Sequence, residues 1–167
     1  PFRRDGGEVW EGNFTFHGVR YVKMSGYRGP VNYDTITGVV LHSDMKPTGH
    51  FECSDPLLNQ LQQNIVWGQK GNFLDIPTDC PQRDERLGWT GDAQVFVRTA
   101  AFNMDVGPFL RRYLREARAA QSADGAYPVV VPVPLSFPDR FTAGWSEAGI
   151  ILPHGLWWRY GDTGVIE

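Results

Sequence analysis

The chain has 167 residues, 41% of them hydrophobic and 21% charged, a balance that supports a packed core and excludes a disordered chain. Its formal charge is −3 and no Lys/Arg run occurs, which argues against nucleic acid or an anionic membrane as partner and favours a neutral or small ligand. The two cysteines, Cys53 and Cys80, are too few for a disulfide framework and lack zinc-site spacing, so both read as free thiols.

Residues 1 to about 52 read as β structure. Trp10, Phe14, Phe16, Val19, Tyr21 and Val22 alternate imperfectly, and the run from Thr35 to Leu41 is rich in β-branched side chains. Tyr27-Arg28-Gly29-Pro30 predicts a turn and Met45-Lys46-Pro47-Thr48-Gly49 a loop, which places a domain boundary between Pro47 and Ser54. A first helix is predicted over 56–70, where Leu57, Leu58, Leu61, Ile65 and Gly68 recur at helical spacing behind a Ser54-Asp55-Pro56 start. From Phe73 to Gly91 the sequence is polar and without period. Asp92 is then a candidate N-cap for a second helix over 93–103, carrying Val95, Phe96, Thr99 and Phe102. Pro108 opens a third helix, with Phe109, Leu110, Tyr113, Leu114 and Ala117 on one face and Arg111, Arg112, Arg115 and Arg118 on a solvated one. Asp124-Gly125 is a turn and 128–138 an extended Val/Pro loop. Ala148 to Tyr160 form a fourth, apolar helix closed by Gly161, with Trp157 and Trp158 expected in the core. Four helices joined by loops of alternating length look like successive hairpins of an all-helical array. A further helix start at Asp162 carries the expectation that the array continues past the sequence.

The stretch from Thr78 to Asp92 packs four carboxylates, two guanidinium groups and one Trp into fifteen residues. Bounded by Pro77, Pro81, Gly88 and Gly91, it can turn back on itself and bring Asp79, Glu85 and Asp92 to one pocket. Like charges held close raise the pKa of one member, which supplies a protonated carboxylic acid able to protonate a glycosidic oxygen near neutral pH. The remaining carboxylates accept hydrogen bonds from sugar hydroxyls, and Trp89 offers a flat face to a pyranose. The same residues also make an ordinary surface ion network of Arg83 and Arg86 with Asp84 and Glu85. No His lies nearby and no EF-hand spacing is present, so neither a metal nor a cofactor is expected. His17, His42, His50 and His154 are dispersed and read as structural, and Asp79 beside Cys80 argues against a nucleophilic thiol. The six Trp, six Tyr and ten Phe suit sugar stacking and an aromatic core equally.

The run Asp79-Cys80-Pro81-Gln82-Arg83-Asp84-Glu85-Arg86-Leu87-Gly88-Trp89-Thr90-Gly91-Asp92 resembles a motif of bacterial α-L-rhamnosidases of glycoside hydrolase family 78. So do Phe51 to Asn59, Asn64 to Phe73 and Thr99 to Asp105, and the resemblance covers nearly the whole chain. It implies a mainly α fold, the N-terminal portion of an (α/α)6 barrel over 51–167, preceded over 1–50 by the C-terminal portion of a β-sandwich. It further implies inverting hydrolysis of terminal α-L-rhamnose, with Glu85 as general acid. Asp79, Arg83, Trp89 and Asp92 then line the sugar pocket. Trp145 and Glu147, further substrate-binding residues by the same resemblance, belong to a second signature, Gly144-Trp145-Ser146-Glu147-Ala148, where the family more often has aspartate at the position of Glu147. The family's general base lies nearer the C-terminus than any residue present, so this piece alone is expected to be inactive. The alternatives are a non-catalytic rhamnose- or carbohydrate-binding protein and a helical scaffold with an ion-paired loop. The implied partner is a rhamnose-containing glycoside, with neither nucleic acid nor membrane involved. The aglycone, the oligomeric state and the compartment, cytoplasmic or secreted, stay open.

Overall fold

A computed structural model describes residues 9–135 and 141–167. The described residues are mainly helical: α1 (Pro56–Asn72), a short antiparallel hairpin β1 (Phe73–Leu74) and β2 (Ile76–Pro77), α2 (Thr90–Asn103), α3 (Gly107–Ala119), α4 (Ala148–Tyr160) and a 3-10 turn, Thr163–Val165. No helix among them is long and apolar enough to cross a membrane.

Local chemistry explains most boundaries. Asp55 accepts the Leu57 N–H at 2.8 Å and Pro56 takes the first helical position, so α1 starts where the sequence places it. The β1–β2 hairpin turns at Asp75, whose φ of 67° is left-handed, and Arg112 of α3 donates to both its carbonyl and its carboxylate at 2.6 Å. Two of the arginines expected to be merely solvated are thus engaged, because Arg111 also pairs with Asp162 at 3.0 Å. The fourth helix ends at Gly161, at φ 65°, with its N–H on the Trp157 carbonyl at 2.8 Å.

Helix α4 packs against α2 and α3. The contact is built from Val97, Ala100 and Ala101 of α2, Leu110, Tyr113 and Leu114 of α3, and Ala148, Leu152 and Leu156 of α4. At the α2–α4 crossing a Cβ on Gly155 would sit 3.2 Å from both Val97 methyl groups, so the small residue sets how closely the helices approach.

Two expectations change, and the apolar stripes of α1 and α2 stand largely exposed. Leu57 of α1 is 78% exposed, and Val95 and Phe102 of α2 are exposed too; the buried side of α2 is its small-residue side. Trp157 and Trp158 lie outside the core, Trp158 at 77% exposure, because α4 is apolar all round and turns Leu152, Gly155 and Leu156 inward instead. Among the described residues 9–52 no strand forms: the segment runs extended and largely exposed, since a strand exists only where a second backbone completes its hydrogen bonds. Its exit is stitched to the helices. Met45 is buried in the core, Asp105 N–H donates to the Lys46 carbonyl at 2.8 Å, and the Thr48 hydroxyl donates to the Phe102 carbonyl at 2.7 Å.

Leu156 is 0% exposed at the α4 contact, so Leu156→Ala should destabilise the protein by about 2–4 kcal/mol. An unchanged urea midpoint would show that this contact is not part of the folding core.

Candidate active site

The segment from Thr78 to Trp89 is closed at its neck by a reciprocal pair: Asp79 N–H donates to the Leu87 carbonyl at 3.0 Å, and Leu87 N–H donates to Asp79 Oδ1 at 2.9 Å. From the end of α1, Asn72 Nδ2 donates to the Thr78 carbonyl at 2.8 Å and the Asp79 carbonyl at 2.5 Å. From the other side, Val131 N–H and the Tyr113 hydroxyl both donate to the Gly88 carbonyl at 2.9 Å. Thr90 N–H donates to the Val129 carbonyl at 2.9 Å, and Trp89 and Val130 form an antiparallel bridge. That pairing starts α2 at Thr90 with Trp89 as N-cap, so Asp92 sits in the first turn rather than capping it. Asp92 there faces the partial positive charge of the helix start.

Within the loop, Glu85 is the meeting point. Its Oε2 accepts from Arg83 Nε at 2.9 Å and pairs with the Arg83 guanidinium at 2.7 Å, and its Oε1 accepts from Trp89 Nε1 at 3.2 Å. It stands within 4.8 Å of the Asp79 carboxyl. Burial pushes the Asp79 carboxyl up, but the Cys80 N–H, the Glu85 carboxyl and the Leu87 N–H together hold it below the usual value of 3.8. Asp92 moves the opposite way: burial first, then the charges of Asp79 and Glu85, raise it above 3.8. Partial burial and the Asp79 charge push the Cys80 thiol up, away from nucleophilic use. Asp79, Cys80 and Glu85 are the one metal-capable group among the described residues, with ligand atoms within 4.8 Å of one another. The Glu85 and Asp79 acceptors are already engaged by Arg83, Trp89 and the Leu87 N–H, and no metal is assigned.

Beside this loop lies a cavity of about 800 Å³ between α1 and α2, lined by Asn72, Phe73, Thr78, Asp79, Gly91, Asp92, Gly144 and Trp145 among others. The structure thus brings Asp79, Asp92 and Trp145 to one cavity. Glu85, Arg83, Trp89 and Glu147 are not part of its lining, and Glu85 stands behind Asp79, within 4.8 Å of it. Glu147 Oε2 accepts the Gly144 N–H at 2.7 Å.

Sequence reasoning passed over Asn72, Tyr113 and Gln94, which hold the site through backbone carbonyls; nothing in a pattern of side chains announces such bonds. It also passed over Phe16, over whose ring the Arg86 guanidinium lies at 4.8 Å, and Gly18, whose Cα leaves only 2.8 Å between a Cβ and the Gln82 side chain. The segment before the helices therefore braces the loop.

The model for the bacterial α-L-rhamnosidase 6 hairpin glycosidase domain matches residues 46–167, and that for the bacterial α-L-rhamnosidase concanavalin-like domain matches residues 4–42. An α-L-rhamnosidase of Streptomyces avermitilis is 47% identical over 96% of this chain and 16% of its own length, and one of Formosa agariphila is 46% identical over 98% and 18%. The chain thus spans about a sixth of the length of these relatives. Among solved structures, the α-L-rhamnosidase of Aspergillus terreus matches at TM-score 0.88 and 45% identity over 94% of this chain and 18% of that one. That of S. avermitilis complexed with L-rhamnose matches at 0.72 and 47% over 75% and 12%.

A carboxyl whose value is higher folded than unfolded weakens the fold above that value and is neutral below the unfolded one. Asp92→Asn should therefore raise the thermal midpoint slightly at pH 7 and lose that advantage below about pH 4. An advantage that persists in acid would rule out charge repulsion as its cause.

Proposed function

This chain belongs to the bacterial α-L-rhamnosidase family, and from that membership we propose that it forms part of an enzyme releasing terminal α-L-rhamnose from glycosides, with Glu85 as general acid. The observation that carries the assignment is the convergence on Glu85: Arg83 pairs with its Oε2 at 2.7 Å, and the Asp79 carboxyl, itself held by the Leu87 N–H, stands within 4.8 Å of it. Two carboxyl groups this close repel when both are ionised, the arrangement from which an acid catalyst is built. Trp89 Nε1 aims the carboxyl from the other side at 3.2 Å.

The same reading gives Asp79 and Asp92 the sugar hydroxyls and Trp145 the apolar sugar face, because these three line the cavity. Arg83 and Trp89 orient the acid. In an inverting mechanism a second carboxylate stands roughly 6.5–9.5 Å from the acid with water between. Asp79 is too close to Glu85 for that water, and no carboxylate among the described residues is assigned as base. The two matched segments support a division near residue 50 into a β-sandwich portion and the (α/α)6 barrel portion.

Rhamnose release by the full natural chain and its Glu85→Gln variant is the test, on an aryl rhamnoside with an activated leaving group and on an alkyl rhamnoside. Loss of proton donation should cost the alkyl substrate about 10²–10⁴-fold and the activated one far less. Equal losses on both remove Glu85 from the acid role, and rhamnose binding without turnover by the parent favours a carbohydrate-binding protein.

A further inference from the structure

The turn that carries Trp145 is tied to the helical body at Gly144. Thr142, Ala143, Gly144 and Trp145 are exposed, and Gly144 has φ 90°, a region that favours glycine. The Gly144 N–H donates to Glu147 Oε2 at 2.7 Å, and its carbonyl accepts from Gln94 Nε2 of α2 at 2.6 Å. One residue on, the indole of Trp145 lies directly on Gly91: a Cβ there would fall 2.7 Å from ring atoms Cδ1 and Nε1. Gly91 precedes Asp92, and all four of Gly91, Asp92, Gly144 and Trp145 line the cavity that Asp79 also lines.

We propose that Glu147 and Gln94 are positioning residues for sugar binding, gripping Gly144 on both sides of its Cα so that Trp145 stands on Gly91 as a wall of the cavity. The inference rests on the rhamnoside-binding reading above and deepens it. Glu147 holds the peptide that enters Gly144 and Gln94 the peptide that leaves it, so neither can rotate without losing a bond, and rotation there swings the Cα–Cβ direction of Trp145. The Glu147 carboxylate reaches back three residues to a free N–H, as the acidic half of a capping box does, and that spends the oxygen on the turn. The Ser146 hydroxyl accepts the Thr142 N–H at 3.0 Å and closes the same turn from its other end. Gly91 leaves the space the indole fills. Glu147 thus governs affinity through Trp145, without touching the sugar.

The test is kinetics of the full natural chain on an aryl α-L-rhamnoside, combined with L-rhamnose binding and tryptophan emission. Trp145→Ala, Glu147→Ala and Gln94→Ala should each raise KM and weaken rhamnose binding about three- to tenfold, the worth of one hydrogen bond or so, with kcat within about twofold. Glu147→Gln keeps an amide oxygen for the Gly144 N–H and should restore binding. Gly91→Ala should reproduce the defect by displacing the ring with the clamp intact. The double variant Trp145→Ala/Glu147→Ala should bind no worse than Trp145→Ala alone. Fully additive losses, a fall in kcat at unchanged KM, or a Glu147→Gln as damaged as Glu147→Ala would put Glu147 on the substrate and overturn the proposal. Failure of rhamnose to bind the parent chain would instead sink the underlying reading. The clamp is then read from emission alone: Glu147→Ala should shift the spectrum, and the shift should vanish in a Trp145→Ala background, whereas a shift that survives there overturns it.

Discussion

The site depends on a short antiparallel pairing that no strand in the fold advertises: residues Gly88 to Thr90 against Val129 to Val131. Val131 N–H reaches the Gly88 carbonyl and Thr90 N–H the Val129 carbonyl, both at 2.9 Å, while the Thr90 hydroxyl donates to the Pro128 and Val129 carbonyls. The pairing ends the acidic loop and begins α2 in one stroke. Everything upstream of Trp89 is held as a loop, and everything after it is committed to the helix that carries Gly91, Asp92 and Gln94. There is no slack in the arrangement, because a Cβ on Gly88 would sit 2.1 Å from the Val131 carbonyl. Tyr113 adds its hydroxyl to the Gly88 carbonyl from the buried face of α3, and burial pushes that phenol well above its ordinary range, so it stays a donor.

From that anchor the electrostatics follow. Asp79 is fastened by N–H groups of its own loop and keeps its charge; Asp92, on the helix beyond the anchor, has fewer compensating donors and feels both other carboxylates. The two shift in opposite directions for that reason. Energy is given up to hold three acidic groups close, and hydrogen bonds from Arg83, Trp89 and the backbone offset part of that cost.

The second wall is made differently. Trp145 comes from a turn held to α2 at Gly144 and at the Trp145–Gly91 contact, two ties among the described residues where the acidic loop has many. The rigid side of the cavity carries the groups with charge, and the lightly held side carries an apolar ring. Proton transfer demands sub-ångström placement, whereas stacking tolerates small displacements.

The sequence by itself determined the helices and the family. Asp55-Pro56, Pro108 and Gly161 mark boundaries through local capping and backbone geometry, which need no partner to be read. The dense run from Asp79 to Asp92 marked out the charged loop and, by its resemblance, the family. The tertiary structure decided what depends on a second segment. Asp92 lost its capping role because Val129 to Val131 start α2 earlier, and Trp157 and Trp158 fell outside the core because Gly155 lets α4 meet α2 on another face. Glu147 turned toward a backbone N–H that no spacing rule points to. Capping and periodicity are contacts between near neighbours in the chain and are written in it, whereas which face is covered, and by which carbonyl a loop is held, is settled only when distant segments meet.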